Sequence, residues 1–197
     1  MPKLYYQGHG SYRVTVNDGR VIYVDPFAGE GYGVPADLIL VTHQHGDHNQ
    51  VGLCAKKSNC RVISNEDALS GGKHNSFDIG GIGVQAVEAS NKNHNPKECV
   101  GFVITVDGVK IYASGDTSKT PQMESELAAM GLDCALFPGD GVYNMSPEEA
   151  AECAGLIKAK KNILIHVEPG ALFNRAKAER WDAPGKVIIE PGEEIEL

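Results

Sequence analysis

Along the first third of the chain, short apolar runs alternate with glycine- and asparagine-rich breaks, the spacing of a β-meander. Lys3 to Gln7, Ser11 to Val16 and Arg20 to Val24 are rich in tyrosine, valine and isoleucine, with Gly8-His9-Gly10 and Asn17-Asp18-Gly19 between them. The Asp-Gly step tolerates the positive φ of a tight turn, so the second and third runs are expected to pair as a hairpin. Leu38 to Val41 is continuously apolar between polar flanks, the pattern of a strand buried on both faces.

Further along, Val100 to Val106 and Val109 to Ala113 flank a second Asp-Gly turn. Then the period changes. Pro121 to Met130 predicts a helix, Cys134 to Phe137 a strand, Asn162 to Ile165 another strand, and Leu172 to Trp181 a last helix. A long helix is expected from Ser146 to about Lys160, with Ser146 as N-cap, Pro147 at the first helical position and Glu149 completing a capping box. Strands first, then strands alternating with helices, predict a mixed sheet with helices on its outer faces. No repeat, low-complexity tract or linker interrupts the chain, so residues 1–197 are read as one domain.

Composition narrows the function. Twenty-six acidic against eighteen basic residues leave a net charge of −8, which disfavours a nucleic-acid partner. No apolar stretch approaches the ~20 residues of a membrane helix, and the N-terminus lacks a secretory apolar core, so a cytoplasmic protein is expected. The five cysteines, with no Cys-x-x-Cys pair, read as reduced and partly buried thiols, with Cys54 and Cys153 packed on predicted helices. Gly81-Ile82-Gly83-Val84-Gln85-Ala86 fits the glycine spacing of a dinucleotide-binding turn, but Val84 to Val87 reads as a strand and not as the helix start that such a turn requires.

The chemistry is concentrated in Thr42-His43-Gln44-His45-Gly46-Asp47-His48, directly after the buried strand. Three imidazoles and a carboxylate in six positions are the donors preferred by zinc and by divalent iron or manganese. In an extended loop His43 and His45 point the same way and can share one ion. A turn near Gly46 would send Asp47 and His48 toward a second. Closing two coordination shells needs further donors at other strand ends, and His94, Asp116 and His166 stand in such places, as do Asp25 and Asp140. His9 lies between two glycines at a strand end, while His74 sits in a polar loop.

These residues carry a resemblance to the metallo-β-lactamase superfamily. Residues 42–48 match its HxHxDH signature, and His94, Asp116 and His166 follow in the order and contexts of its remaining ligands. The likeness runs from Gly8-His9-Gly10-Ser11 and Val24-Asp25-Pro26 to Ile165-His166. The Ser114-Gly115-Asp116-Thr117 segment and the helix start at Met145-Ser146-Pro147 look like the branch containing L-ascorbate-6-phosphate lactonase. The resemblance implies a four-layer αββα sandwich with the site at one edge. It implies one divalent ion on His43, His45 and His94, a second on Asp47, His48 and His166, and Asp116 between them. Zinc is the first expectation, with manganese or iron as alternatives. The implied activity is hydrolysis of an ester, lactone or phosphoester in a small anionic substrate by solvent activated between the ions, with Asp47 orienting that water or taking its proton.

Two other classes share the fold: an iron-bound redox module of the flavodiiron kind, and a metal-binding relative without turnover. His45 argues against the first, where a glutamate is usual at that position, and the full ligand set argues against the second. Lys92, Lys97, Tyr143, Asn144 and Glu168 are candidate substrate contacts. Short loops predict an open site that a homo-oligomer would complete.

Overall fold

The computed structural model describes residues 1–197 and builds them into two facing mixed sheets. The first sheet begins with the meander: β1 (Lys3–Gly8), β2 (Ser11–Thr15) and β3 (Val21–Val24) pair antiparallel. It continues parallel through β4 (Ala36–Val41) and β5 (Lys56–Ser64). The second sheet repeats the plan. β6 (Ser76–Ile79), β7 (Ile82–Glu88), β8 (Val100–Val106) and β9 (Val109–Ala113) run antiparallel. β10 (Cys134–Pro138), β11 (Lys161–Ile165) and β12 (Lys186–Val187) then extend it in parallel. A C-terminal strand β13 (Glu194–Glu196) closes the first sheet on the far side of β1.

Strand alternation divides the apolar residues among three layers. Leu38 and Leu40 of β4 face the gap between the sheets, where they meet Ile22, Val24, Phe102, Leu136 and Ile163. Ile39 and Val41 point the other way, against Tyr23, Tyr32 and Cys54. On the second sheet, Tyr112, Phe137 and Leu164 face outward beneath the helix α3 (Pro147–Ile157), which packs Ala150, Cys153, Ala154 and Ile157 onto them with Trp181 alongside. Full burial of one such large aliphatic side chain contributes about 1.5–3 kcal/mol. The helical cover is thick over the second sheet and thin over the first, whose outer face has a 3₁₀ turn at Val51–Leu53 and loops, while the short α1 (Asn65–Ala68) buries Ala68 in the core between the sheets. No helix is long and apolar enough to cross a membrane.

Several elements differ from the sequence expectation, each for a local reason. The helix expected over 121–130 stops as α2 (Pro121–Ser125), because Glu126 leaves helical geometry at φ −130°, and a 3₁₀ turn at Leu127–Ala129 follows. The last helix, α4 (Arg175–Arg180), begins later than Leu172 because the Asn174 side chain caps it by accepting from Lys177 N. Ser146 caps α3 as expected, but the Glu149 carboxylate accepts from Lys119 N, so no capping box closes. Cys54 follows the 3₁₀ turn and is not helical. Residues 82–88 form β7, so the glycine pattern at 81–86 opens a strand and not a nucleotide-binding helix. All five cysteines are free thiols.

Candidate metal centre

In each sheet the parallel strands end at the same edge, and the functional side chains stand just past those ends. Thr42 to His48 follow β4, Asp25 follows β3, Asp116 follows β9, Asp140 follows β10 and His166 follows β11. His9 follows β1, and His94 arrives from the loop before β8, where a tight turn pairs it with Asn91. His9, Asp25 and His166 all take left-handed backbone, with φ of 56°, 46° and 48°. Non-glycine residues adopt that region at a cost on the order of 1–3 kcal/mol each, a strain that sheet ends and their hydrogen bonds must hold in place.

Two groups of donor atoms result. His43, His45 and His94 form a triangle with ring centroids 4.5, 5.0 and 5.0 Å apart. Beside it, ligand atoms of His9, Asp47, His48 and His166 lie within 4.8 Å of one another. Asp116 stands between the groups: Oδ1 is 3.4 Å from His48 Nε2, while Oδ2 is 3.4 Å from His94 Nε2 and 3.5 Å from His166 Nε2. The seven residues expected to act together are therefore gathered in one place. His43, His48, His94, Asp116 and His166 are buried, Asp47 is partly accessible, and His45 is exposed.

The imidazoles are oriented alike. His48 Nδ1 donates to Asp25 Oδ2 at 2.9 Å, His43 Nδ1 to Thr42 Oγ1 at 3.0 Å, and His94 Nδ1 to Asn91 Oδ1 at 2.9 Å. His166 Nδ1 faces Asp140 Oδ2 at 3.0 Å. Holding the proton on Nδ1 leaves the Nε2 lone pair directed at the centre, as a metal ligand requires. The Nε2 atoms of His43, His48, His94 and His166 are all buried with no hydrogen-bond partner. Four orphaned buried nitrogens around one carboxylate are what a divalent cation would satisfy, so these residues fit a metal.

Charges in the pocket are strongly coupled. Burial, with the neighbouring His48 charge, pushes His43 down to about 2 and keeps it neutral. Burial also works against charge on His166, but Asp116, Asp140 and Asp47 outweigh it and raise the ring to about 9. His48 is raised in the same way by Asp116 and Asp25 against its own burial. Asp116, despite burial, is held well below the usual carboxylate range by His48 and His166. The Asp47 and Asp116 carboxylates thus stay ionised beside His48 and His166, while His43 stays neutral.

A cavity of about 600 Å³ opens beside the His43–His45–His94 triangle, and its wall includes Gln44, Asn65, Glu66, Asn93 and Lys97. Tyr143, exposed, lines a smaller opening over Asp47, Asp116 and His166. The other candidate contacts are engaged elsewhere. Glu168 accepts from Asn174 at 2.6 Å and pairs with Lys177, which anchors α4, and Asn144 is held by Asp140 and Asn91. Lys92 is exposed and lines neither opening, and His74 borders a separate pocket with Glu88 and Ser90. Thr42 and Asn91, unassigned from sequence, orient two ligand-type histidines. Their positions, one residue before His43 and three before His94, were the available signal.

Residues 3–166 match the β-lactamase superfamily domain. The chain belongs to that superfamily. Among similar proteins, a UPF0173 metal-dependent hydrolase of Thermococcus onnurineus is 30% identical over the whole of both chains. Another from Thermus thermophilus is 34% identical, again with both chains covered in full. A metallo hydrolase of Ignicoccus hospitalis shares the fold at a TM-score of 0.75, with 21% identity over 100% of this chain and 99% of its own.

Proposed function

We propose that this member of the superfamily is a metal-dependent hydrolase that holds two divalent ions. His43, His45 and His94 bind the first, Asp47, His48 and His166 the second, and Asp116 lies between. The single observation that carries the reading is the set of four buried, partnerless Nε2 atoms converging on Asp116. The naming of the full-length relatives as metal-dependent hydrolases supports it. A donor set of five imidazoles and two carboxylates favours zinc over magnesium or calcium, with manganese and iron as alternatives. Such a pair of ions supplies Lewis acidity, which makes a water nucleophilic near neutral pH and offsets charge on the attacked group.

The chain's own residues do the positioning. Asp25, Thr42, Asn91 and Asp140 fix the imidazole tautomers, so each ring offers a lone pair without reorganising. Asp47 is the more accessible of the two ligand carboxylates, and it orients the attacking water by accepting its hydrogen bond. The polar wall at Gln44, Asn65 and Asn93 suits a small hydrophilic substrate, with Lys97 and the two ions as the positive groups that would draw an anionic one past Glu66 and Glu98. An ester, lactone or phosphoester is the reaction class.

Metal quantification on the purified protein, with a panel of phosphodiester, lactone and thioester substrates, tests this reading. Two equivalents of metal and turnover of one panel member are expected, and Asp116→Ala should lose both while keeping the fold by circular dichroism. Near wild-type turnover in Asp116→Ala, or a visible iron chromophore with no hydrolysis, would overturn it.

A further inference from the structure

His9 has no part in the cage just proposed, yet the fold fixes it as firmly as any ligand. Its ring is buried, and its backbone sits in the left-handed region at φ 56°. Both neighbours must be glycine. Gly8 has φ 116°, and a Cβ on Gly10 would stand 2.9 Å from His48 Cε1. The His9 carbonyl accepts from His166 N at 2.8 Å and from the Tyr6 hydroxyl at 2.8 Å, which ties the end of β1 to the end of β11. Left-handed geometry is easiest for glycine and is tolerated by asparagine, aspartate and histidine, so the use of a histidine here is read from its ring contacts.

The ring spans two acceptors. Nδ1 lies 2.9 Å from the Ala171 carbonyl and Nε2 lies 3.1 Å from Asp47 Oδ2, so the two nitrogens bridge a backbone acceptor and a carboxylate. Here His9 differs from the four buried histidines with orphaned Nε2 atoms: its own Nε2 is already paired. It also packs on His166, with ring centroids 3.7 Å apart. Asp47 is the only carboxylate of the cage with substantial solvent exposure, at 37% of its side chain, against 5% for Asp116. Without a partner it would be free to swing toward water.

We infer that His9 is a positioning residue: it pins one oxygen of Asp47 and thereby holds that carboxylate in place for the second ion. The inference rests on the two-ion reading of the site. A pair of variants separates this role from a purely structural one. Asparagine retains an N–H at the Nδ1 position, toward Ala171, and tolerates the backbone, but cannot reach Asp47. Glutamine reaches Asp47 from the Nε2 position but suits the backbone less.

Stepwise zinc uptake by the full chain, measured in competition with a chromophoric chelator, is the assay. His9→Asn is expected to weaken the second ion by roughly 10–100-fold with the first unchanged, the usual cost of losing an outer partner of a ligand. His9→Gln is expected to recover most of that loss while melting at a lower temperature than His9→Asn. Wild-type uptake by His9→Asn, or a weaker second step in His9→Gln than in His9→Asn, would overturn the role. If the wild type takes up only one ion, the two-ion reading fails by itself. A metal-free crystal structure of His9→Asn then decides the positioning claim, which stands if the Asp47 carboxylate has moved and falls if it has not.

Discussion

Replacing Asp25 by asparagine removes one formal charge and almost no volume, and the consequences can be followed atom by atom. Asp25 is 2% exposed and accepts three hydrogen bonds: from Thr42 N at 2.8 Å, from Thr42 Oγ1 at 2.7 Å and from His48 Nδ1 at 2.9 Å. In Asp25→Asn the side-chain oxygen can keep the backbone bond, but the new amide then confronts two donors. The Thr42 hydroxyl already accepts from His43 Nδ1, so turning it toward the amide leaves its own proton without a partner. His48 must move its proton to Nε2, the nitrogen that faces Asp116, or lose its anchor.

A hydrogen bond to a charged group contributes about 1.5–3 kcal/mol. At ~1.4 kcal/mol per decade, losing the His48 anchor should weaken the second ion by roughly 10–100-fold. The first ion, reached only through Thr42 and His43, should weaken less. Chelator-competition titration that resolves the two steps measures both effects. Wild-type affinity at the second step would refute the claim that Asp25 sets the His48 tautomer.

Two further outcomes concern the scaffold. Burial pushes the thiols of Cys54, Cys99, Cys134 and Cys153 up to about 12, while Cys60 is raised less and is not buried. Because the thiolate is the reactive form, Ellman's reagent near pH 8 should find one fast thiol in the native protein and all five after denaturation. Ser146→Ala removes the α3 cap, whose oxygen accepts from Glu149 N at 3.2 Å, and should cost about 1 kcal/mol. A chain of this length should then melt roughly 2–4 °C lower, and Ser146→Thr should restore most of the loss.

The cage was legible in the sequence because ligand chemistry is carried by residue type and because most of its distant members directly follow apolar runs. His43, His45, Asp47 and His48 are close in the chain, and Asp116 and His166 each follow a run that needs only its hydrophobicity to be recognised as a strand. The supporting contacts were harder to read. Ala171 holds His9 through a backbone carbonyl, which no residue type announces. β5 was missed because Lys56 to Arg61 lie on an exposed sheet edge, where neither apolar alternation nor a buried run is required. Glu126 ends α2 although its side chain favours helix, a tertiary choice that local propensity cannot register. The role of His9 was half visible in Gly8-His9-Gly10, since flanking glycines mark a close approach but do not say to what.

Apart from His94, the cage is built on strand termini, whereas much of the wall beside it comes from connecting segments at 65–69 and 95–98. On the function proposed above, reactive power and selectivity therefore reside on separable parts of the chain. A graft that exchanged those two segments for others of similar length would present the same electrophilic centre to a different clientele. Evolution could retarget such a scaffold by trading its rim and leaving its hearth untouched.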